Sequence, residues 1–180
     1  MIRITIIKKV LRGTLFILLI LLTAQTSYAQ SKQPLAADSF NLALLNADSV
    51  WIASHRSLAY MSREKGRTKL LYKSILRAET PDTTLFIQQK RIVAREQEEL
   101  IGLFVETPDS IQSLPALCFD PHHAVFIFKN GQTRFIDICF GCKVIQTSPG
   151  LLLKSPKNFS TWMNLENWFA AKGLGAVPKE

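Results

Sequence analysis

The chain has 180 residues, 47% of them hydrophobic and 20% charged, with 22 Lys and Arg against 14 Asp and Glu and a formal charge of +8. That length suits one domain, and the mixture of apolar and charged residues excludes a disordered, collagen-like or multi-pass membrane protein. The charge is unevenly placed: Arg3, Lys8, Lys9 and Arg12 fall in the first 29 residues, which hold no acid, and without those four the balance is only +4.

Residues 1–29 have the three parts of a secretory signal: a basic start, a short apolar core from Thr14 to Ala24, and Ser27-Tyr28-Ala29 with small side chains at the −3 and −1 positions of a cleavage site. The core falls well short of the roughly 20 residues that span a bilayer as a helix. No Cys follows it, which argues against a lipid anchor there. The expectation is cleavage near Ala29 and an exported chain, periplasmic or secreted, in a space where disulfides persist. Residues 30–39 read as a polar linker and 40–180 as a single domain.

Within that domain Phe40–Ala47 is too short to read beyond a turn of helix. Ser49–Ser54, rich in β-branched and aromatic residues, predicts a strand. His55–Arg77 carries Arg56, Arg63, Lys65, Arg67, Lys69, Lys73 and Arg77 against Glu64 alone, and its apolar residues keep neither period 2 nor period 3.6. It reads as a long, partly structured connection. Thr83–Gln89 suggests a short strand. Ala94–Val105 opens with acids and continues with one apolar face, predicting a helix stopped by Pro108. His123–Cys139 contains Asn130-Gly131 between β-rich runs, the signature of a type I′ hairpin. Val144–Thr147 continues as a strand, Ser148-Pro149-Gly150 turns, and Ser160 caps a helix closed by Gly173. The pattern is α+β: an antiparallel sheet with a central hairpin and two or three helices packed on it.

All three cysteines lie between positions 118 and 142. With Asn130-Gly131 as the turn, paired residues sum to 261, so Phe126 faces Phe135, His122 faces Cys139, and Cys118 comes beside Cys142. One face then carries Val125, Ile127, Ile136 and Ile138. The other carries Phe126, Phe128 and Phe135, with Asp137, Cys139 and His122 toward the open end.

In an exported chain the first expectation is a disulfide staple from one pair of cysteines. Joining Cys118 to Cys142 would stabilise by roughly 3–4 kcal/mol in the chain-entropy model. Three alternatives use the same residues. Cys118, Cys139 and Cys142 with His122 or His123 would suit tetrahedral zinc. Cys139-Phe-Gly-Cys142 would suit thiol redox, although a strand rather than a helix follows it. Covalent haem is disfavoured, because Lys143 stands where a His would follow the second cysteine.

Cys118-x-x-Pro121-x-His123, a hairpin and Ile138-Cys-Phe-x-Cys142 together resemble a pattern in small exported bacterial proteins of unassigned function. The resemblance extends to the strand beginning at Asp48-Ser49-Val50 and to the closing helix. It implies no activity, and it points to His123 rather than His122 as that family's histidine.

Elsewhere, His55 reads as a lone surface histidine. Asp120 and Asp137 could orient a histidine, but solvent-facing or turn roles are the first expectation. Ser148 lacks a nucleophile context, and no zinc-protease, phosphate-loop or dinucleotide motif is present. The basic stretch could meet an anionic membrane surface. Nucleic acid is not expected as a partner for an exported chain. The sequence therefore points to an exported, non-enzymatic cell-envelope domain that binds a partner or ligand, with a disulfide-stapled hairpin and no cofactor. Its alternative is a thiol or zinc centre at the cysteine cluster.

Overall fold

A computed structural model describes residues 38–64, 66–104 and 119–175. Asn130 and Gly131 take φ of 50° and 73°, and this primed turn twists the flanking strands into register. In chain order the elements are β1 (Asp38–Ser39), α1 (Phe40–Leu45), β2 (Ser49–His55), β3 (Ala59–Glu64), β4 (Arg67–Tyr72), β5 (Leu76–Arg77) and β6 (Thr80–Pro81). A 3₁₀ turn at Thr83–Leu85 leads to β7 (Phe86–Ile92) and α2 (Ala94–Leu103). Then follow β8 (His123–Lys129), β9 (Gln132–Cys139), β10 (Val144–Thr147), β11 (Leu151–Leu152) and α3 (Phe159–Ala171).

The main sheet is antiparallel with order β10-β9-β8-β2-β7, so the predicted hairpin β8–β9 lies inside it. Its register is the expected one, with Phe126 opposite Phe135 and His123 opposite Ile138. On the inner face Val50, Ile52, Val125, Ile127, Ile136 and Ile138 pack against Phe40, Leu44, Leu100, Trp162, Leu165 and Phe169 of the three helices. On the outer face Ala53, Ala124 and Phe126 are covered by Leu58 and Ile75 from the connection between β2 and β7. The domain is α+β with an antiparallel sheet, as its sequence pattern implies.

Two interactions fasten the helical layer. The Glu96 carboxylate accepts hydrogen bonds from Val93 N–H, Lys90 and, across to the end of α3, Lys172. These donors, Lys172 foremost, hold its pKa down at about 2. At the other end of α3, Gly173 takes φ of 86°, Leu174 N–H bonds back to Phe169 O and Gly173 N–H to Ala170 O. That pattern is a Schellman closure, and it returns buried Leu174 to the core.

Two expectations change. His55–Arg77, expected as a long, partly structured connection, is largely paired: β3 and β4 form an antiparallel ribbon, and β5 and β6 a second small one. The β3–β4 ribbon is largely exposed on both faces, so nothing imposed the alternation that a half-buried strand shows. The second ribbon turns through Ala78 and Glu79, both at positive φ (49° and 66°), without the Asn or Gly that normally announces such a turn. Finally, α3 starts at Phe159 with Asn158 as its N-cap, two residues before the expected Ser160.

Positive φ costs an alanine of the order of 1 kcal/mol, which Asn tolerates better. Ala78→Asn should therefore stabilise the protein by about 0.5–1 kcal/mol, seen as a higher urea midpoint at unchanged slope.

Candidate functional site

Strand alternation places His55, Ala53, Ala124, Phe135 and Asp137 on the outer face of the sheet. β8 runs between β2 and β9, and Ala124 lies directly opposite both Ala53 and Asp137. Because Ala124 carries only a methyl group, two longer side chains can meet over it. His55 Nε2 lies 3.0 Å from Asp137 Oδ1, with both residues buried.

The second ring nitrogen fixes the proton count of this pair. His55 Nδ1 is 2.9 Å from the Arg56 carbonyl, which can only accept, so Nδ1 carries hydrogen. One more proton must then lie between Nε2 and Oδ1. The pair is either imidazolium with carboxylate or imidazole with carboxylic acid, and neutral overall in both forms. Burial pushes the Asp137 carboxyl above the usual carboxylate range, while the His55 hydrogen bond pulls the other way. Losing one member of such a pair strands the other in a dry site, typically at a cost of about 3–5 kcal/mol.

The polar chain continues toward solvent. His122 Nδ1 donates to the His55 carbonyl at 3.2 Å, and its Nε2 is 3.4 Å from Asp120 Oδ2. Asp120 also accepts from Ser57 Oγ at 2.6 Å. Ser57 therefore faces a carboxylate and not a histidine, an order unlike that of a nucleophilic triad. Beside these groups is a cavity of about 250 Å³. Leu58, Ile75, Phe119, Pro121 and Phe135 form apolar walls, and Tyr72, Lys73, Ser74, Asp137 and Gln146 supply polar groups.

Cys139 and Cys142 are joined by a disulfide with Cα atoms 5.2 Å apart. The bridge closes the β9–β10 turn; it does not join Cys118 to Cys142, and Cys118 lies outside the described residues. A loop of four residues gains only roughly 2 kcal/mol from the chain-entropy effect, against 3–4 for the longer loop. Cys142 N–H donates to Cys139 Sγ at 3.1 Å. The turn is seated on the helical layer by Phe140, whose ring lies 5.6 Å from Phe169 and 4.9 Å from His123.

His123 is on the inner face, away from His55 and His122. Its Nε2–H reaches the carbonyls of Leu174 (3.0 Å) and Gly175 (3.3 Å), so it ties the segment that follows α3 to the central strand. Among the described residues no three His, Cys, Asp or Glu side chains are grouped to hold a metal ion. Arg56, Arg63, Arg67, Lys69, Lys73 and Arg77 of the basic stretch are exposed, and Lys65 lies outside the described residues.

Two expectations about polar residues are overturned. His55 is not a surface histidine and Asp137 is not solvent-facing, because each satisfies the other beneath the outer cover. A charged residue between Ile136 and Ile138 in a strand buried on both faces was the available signal. Its partner, 82 positions away, depends on the β2–β8 pairing. Most of the cavity residues were also missed, since they come from five separated segments. Compared with family models, curated proteins and solved structures, the chain matches none.

Burial, opposed by the two carbonyl hydrogen bonds, lowers the His123 pKa from 6.5 to about 4. The unfolded chain thus binds the extra proton first. This contribution to stability is complete above pH 6.5 and is lost as pH falls toward 4, a total of about 3 kcal/mol. Urea midpoints measured between those limits should fall steeply for the native chain and much less for His123→Gln, whose amide can still donate to Leu174. Equal slopes would contradict this assignment.

Proposed function

We propose that the chain is an exported, non-enzymatic binding domain, and that its ligand seat is the outer-face cavity. The observation that carries this reading is the convergence of apolar walls and fixed polar groups there, with the His55–Asp137 pair beside it. A binding pocket needs apolar area for affinity and a few preplaced polar groups for orientation. Asp137 is held by His55, so its position does not have to be organised when a ligand arrives. Lys73 supplies a cation at the wall. The complementary ligand is a small amphipathic molecule with an apolar body and an anionic end.

Benzoate is a suitable probe, with benzyl alcohol as its neutral counterpart. Titration of the isotopically labelled protein should shift the amides of Leu58, Ile75 and Phe135 saturably. Gln146→Trp, which places a large ring at the cavity wall, should abolish the shifts. Lys73→Gln should weaken benzoate by about 2- to 5-fold and leave benzyl alcohol nearly unchanged, the scale of one solvent-exposed ion pair. Shifts that never saturate, or that survive Gln146→Trp, would remove the cavity as the ligand seat.

A second reading, a thiol–disulfide centre at Cys139-Phe-Gly-Cys142, is favoured by the N–H donor on Cys139 Sγ. Such a donor stabilises a thiolate when the bridge opens. Reduction would transfer two electrons and two protons from an external dithiol, leaving two thiols and an oxidised donor. Under that reading, mass spectrometry after thiol blocking in glutathione buffers shows reversible interconversion of this pair at moderate potentials. A bridge that stays oxidised throughout is structural.

A further inference from the structure

The β3–β4 ribbon has a composition that the cavity does not explain. Met61 and Leu70 are cross-strand partners, as are Ala59 and Tyr72, so these four residues share one face. Met61 is 67% exposed, and Leu70 and Tyr72 are each 49% exposed. Such a row on a two-stranded ribbon is an exposed apolar surface. Exposed Arg63 stands on that face, and exposed Arg67 and Lys69 on the opposite one. Lys73 follows at the base, with its ammonium 5.8 Å from the centre of the Tyr60 ring.

Charge selects the occupant. A second copy docking on this face would bring Arg63 toward its counterpart. It would also stack two ribbons of the same net positive charge within about one Debye length, with little acidic charge in the stretch to offset them. Arg63 stands beside the apolar row and Arg67 and Lys69 behind it, a diffuse arrangement suited to a fluid field of phosphates. A protein partner would have to present acids in fixed positions on both sides. Long Lys and Arg side chains can reach headgroups while Met, Leu and Tyr enter the boundary below them.

We propose that the β3–β4 ribbon docks on an anionic lipid bilayer, with Met61, Leu70 and Tyr72 entering the interface and Arg63 beside them meeting the phosphates. Arg67 and Lys69, on the far face of the thin ribbon, add longer-range attraction. The ribbon is anchored to the domain by the buried residues on either side of it, Leu58 and Ile75, and by the Lys73 N–H to Leu58 O bond of 2.8 Å. Binding therefore requires no rearrangement of the main sheet. Tyr72 also lines the cavity, so the docked face continues into the cavity wall.

The test uses the full chain and vesicles of phosphatidylcholine with or without phosphatidylglycerol. Residues 1–29 are common to every variant, so only differences between variants are read. Met61→Ser/Leu70→Ser should weaken partition onto the anionic vesicles by tenfold or more. Arg63→Gln/Arg67→Gln/Lys69→Gln should weaken it by about tenfold or more, with the largest share from Arg63 on the lipid-facing side. Added salt should act strongly on the native chain and weakly on the charge variant. Unchanged circular dichroism and urea midpoints establish that the variants fold, which the exposure of these residues predicts. The proposal is overturned if either variant partitions like the native chain. It is also overturned if Met61→Ser/Leu70→Ser instead abolishes a concentration-dependent dimer seen by sedimentation, or if anionic and neutral vesicles bind these chains equally. Gln146→Trp should leave vesicle binding intact, so failure here and failure of the cavity reading are separable.

Discussion

Strand β8 is enclosed on four sides: β2 and β9 pair its two edges, the helices cover its inner face, and the β2–β7 connection covers its outer face. Every backbone group on it must therefore find its partner within the sheet, and every side chain must be apolar, small or satisfied by another residue. Val125 and Ile127 meet the demand on one face and Ala124 and Phe126 on the other. His123, the polar residue at its start, meets it by bonding to the carbonyls that follow α3. The packing of the helices, the return of the segment after α3 and the position of the cavity all depend on this strand.

The cavity adjoins the end of the outer cover. Over most of that face aromatic and aliphatic side chains close the surface, with Phe86 stacked on Phe126 at 5.3 Å. Toward the open end of the hairpin the small side chain of Ala124 leaves space, and His55 and Asp137 reach across it. A neutral, fully bonded pair is tolerable there, whereas an unpaired carboxylate would be expelled or protonated. From that pair a graded polar path runs through His122, Asp120 and Ser57 to water. The position has the mixed character of a binding wall: dry enough to strengthen contacts and polar enough to orient them.

Several elements were legible for clear physical reasons. Asn130-Gly131 encodes its turn locally, because the required positive φ values favour those two residues. The acidic start and apolar face of α2, and Gly173 after α3, are likewise local signals. The ribbon β3–β4 left no such mark: without a buried face it needs no alternation. Its neighbour β5–β6 turns through Ala78 and Glu79, whose conformation is imposed by their surroundings. The cysteines were legible as a cluster and not as a pairing. Hairpin register brought Cys139 and Cys142 to one end, but the bond between them closes the next turn of the chain.

Residue order by itself determined the α+β class, the hairpin and its register, and the two apolar faces that place that hairpin inside a sheet. These follow from turn chemistry and from a period of two, both of which act over a few residues. Only the tertiary structure decided which polar residues are buried and with whom. His55 and Asp137 meet because β2 pairs with β8, and the cavity exists because separated segments converge over that face. The charge of +8 also changed meaning. The tertiary structure concentrates its basic stretch on an exposed ribbon beside the exposed side chains of Met61 and Leu70. Long-range pairing sets these juxtapositions, and no local pattern encodes them.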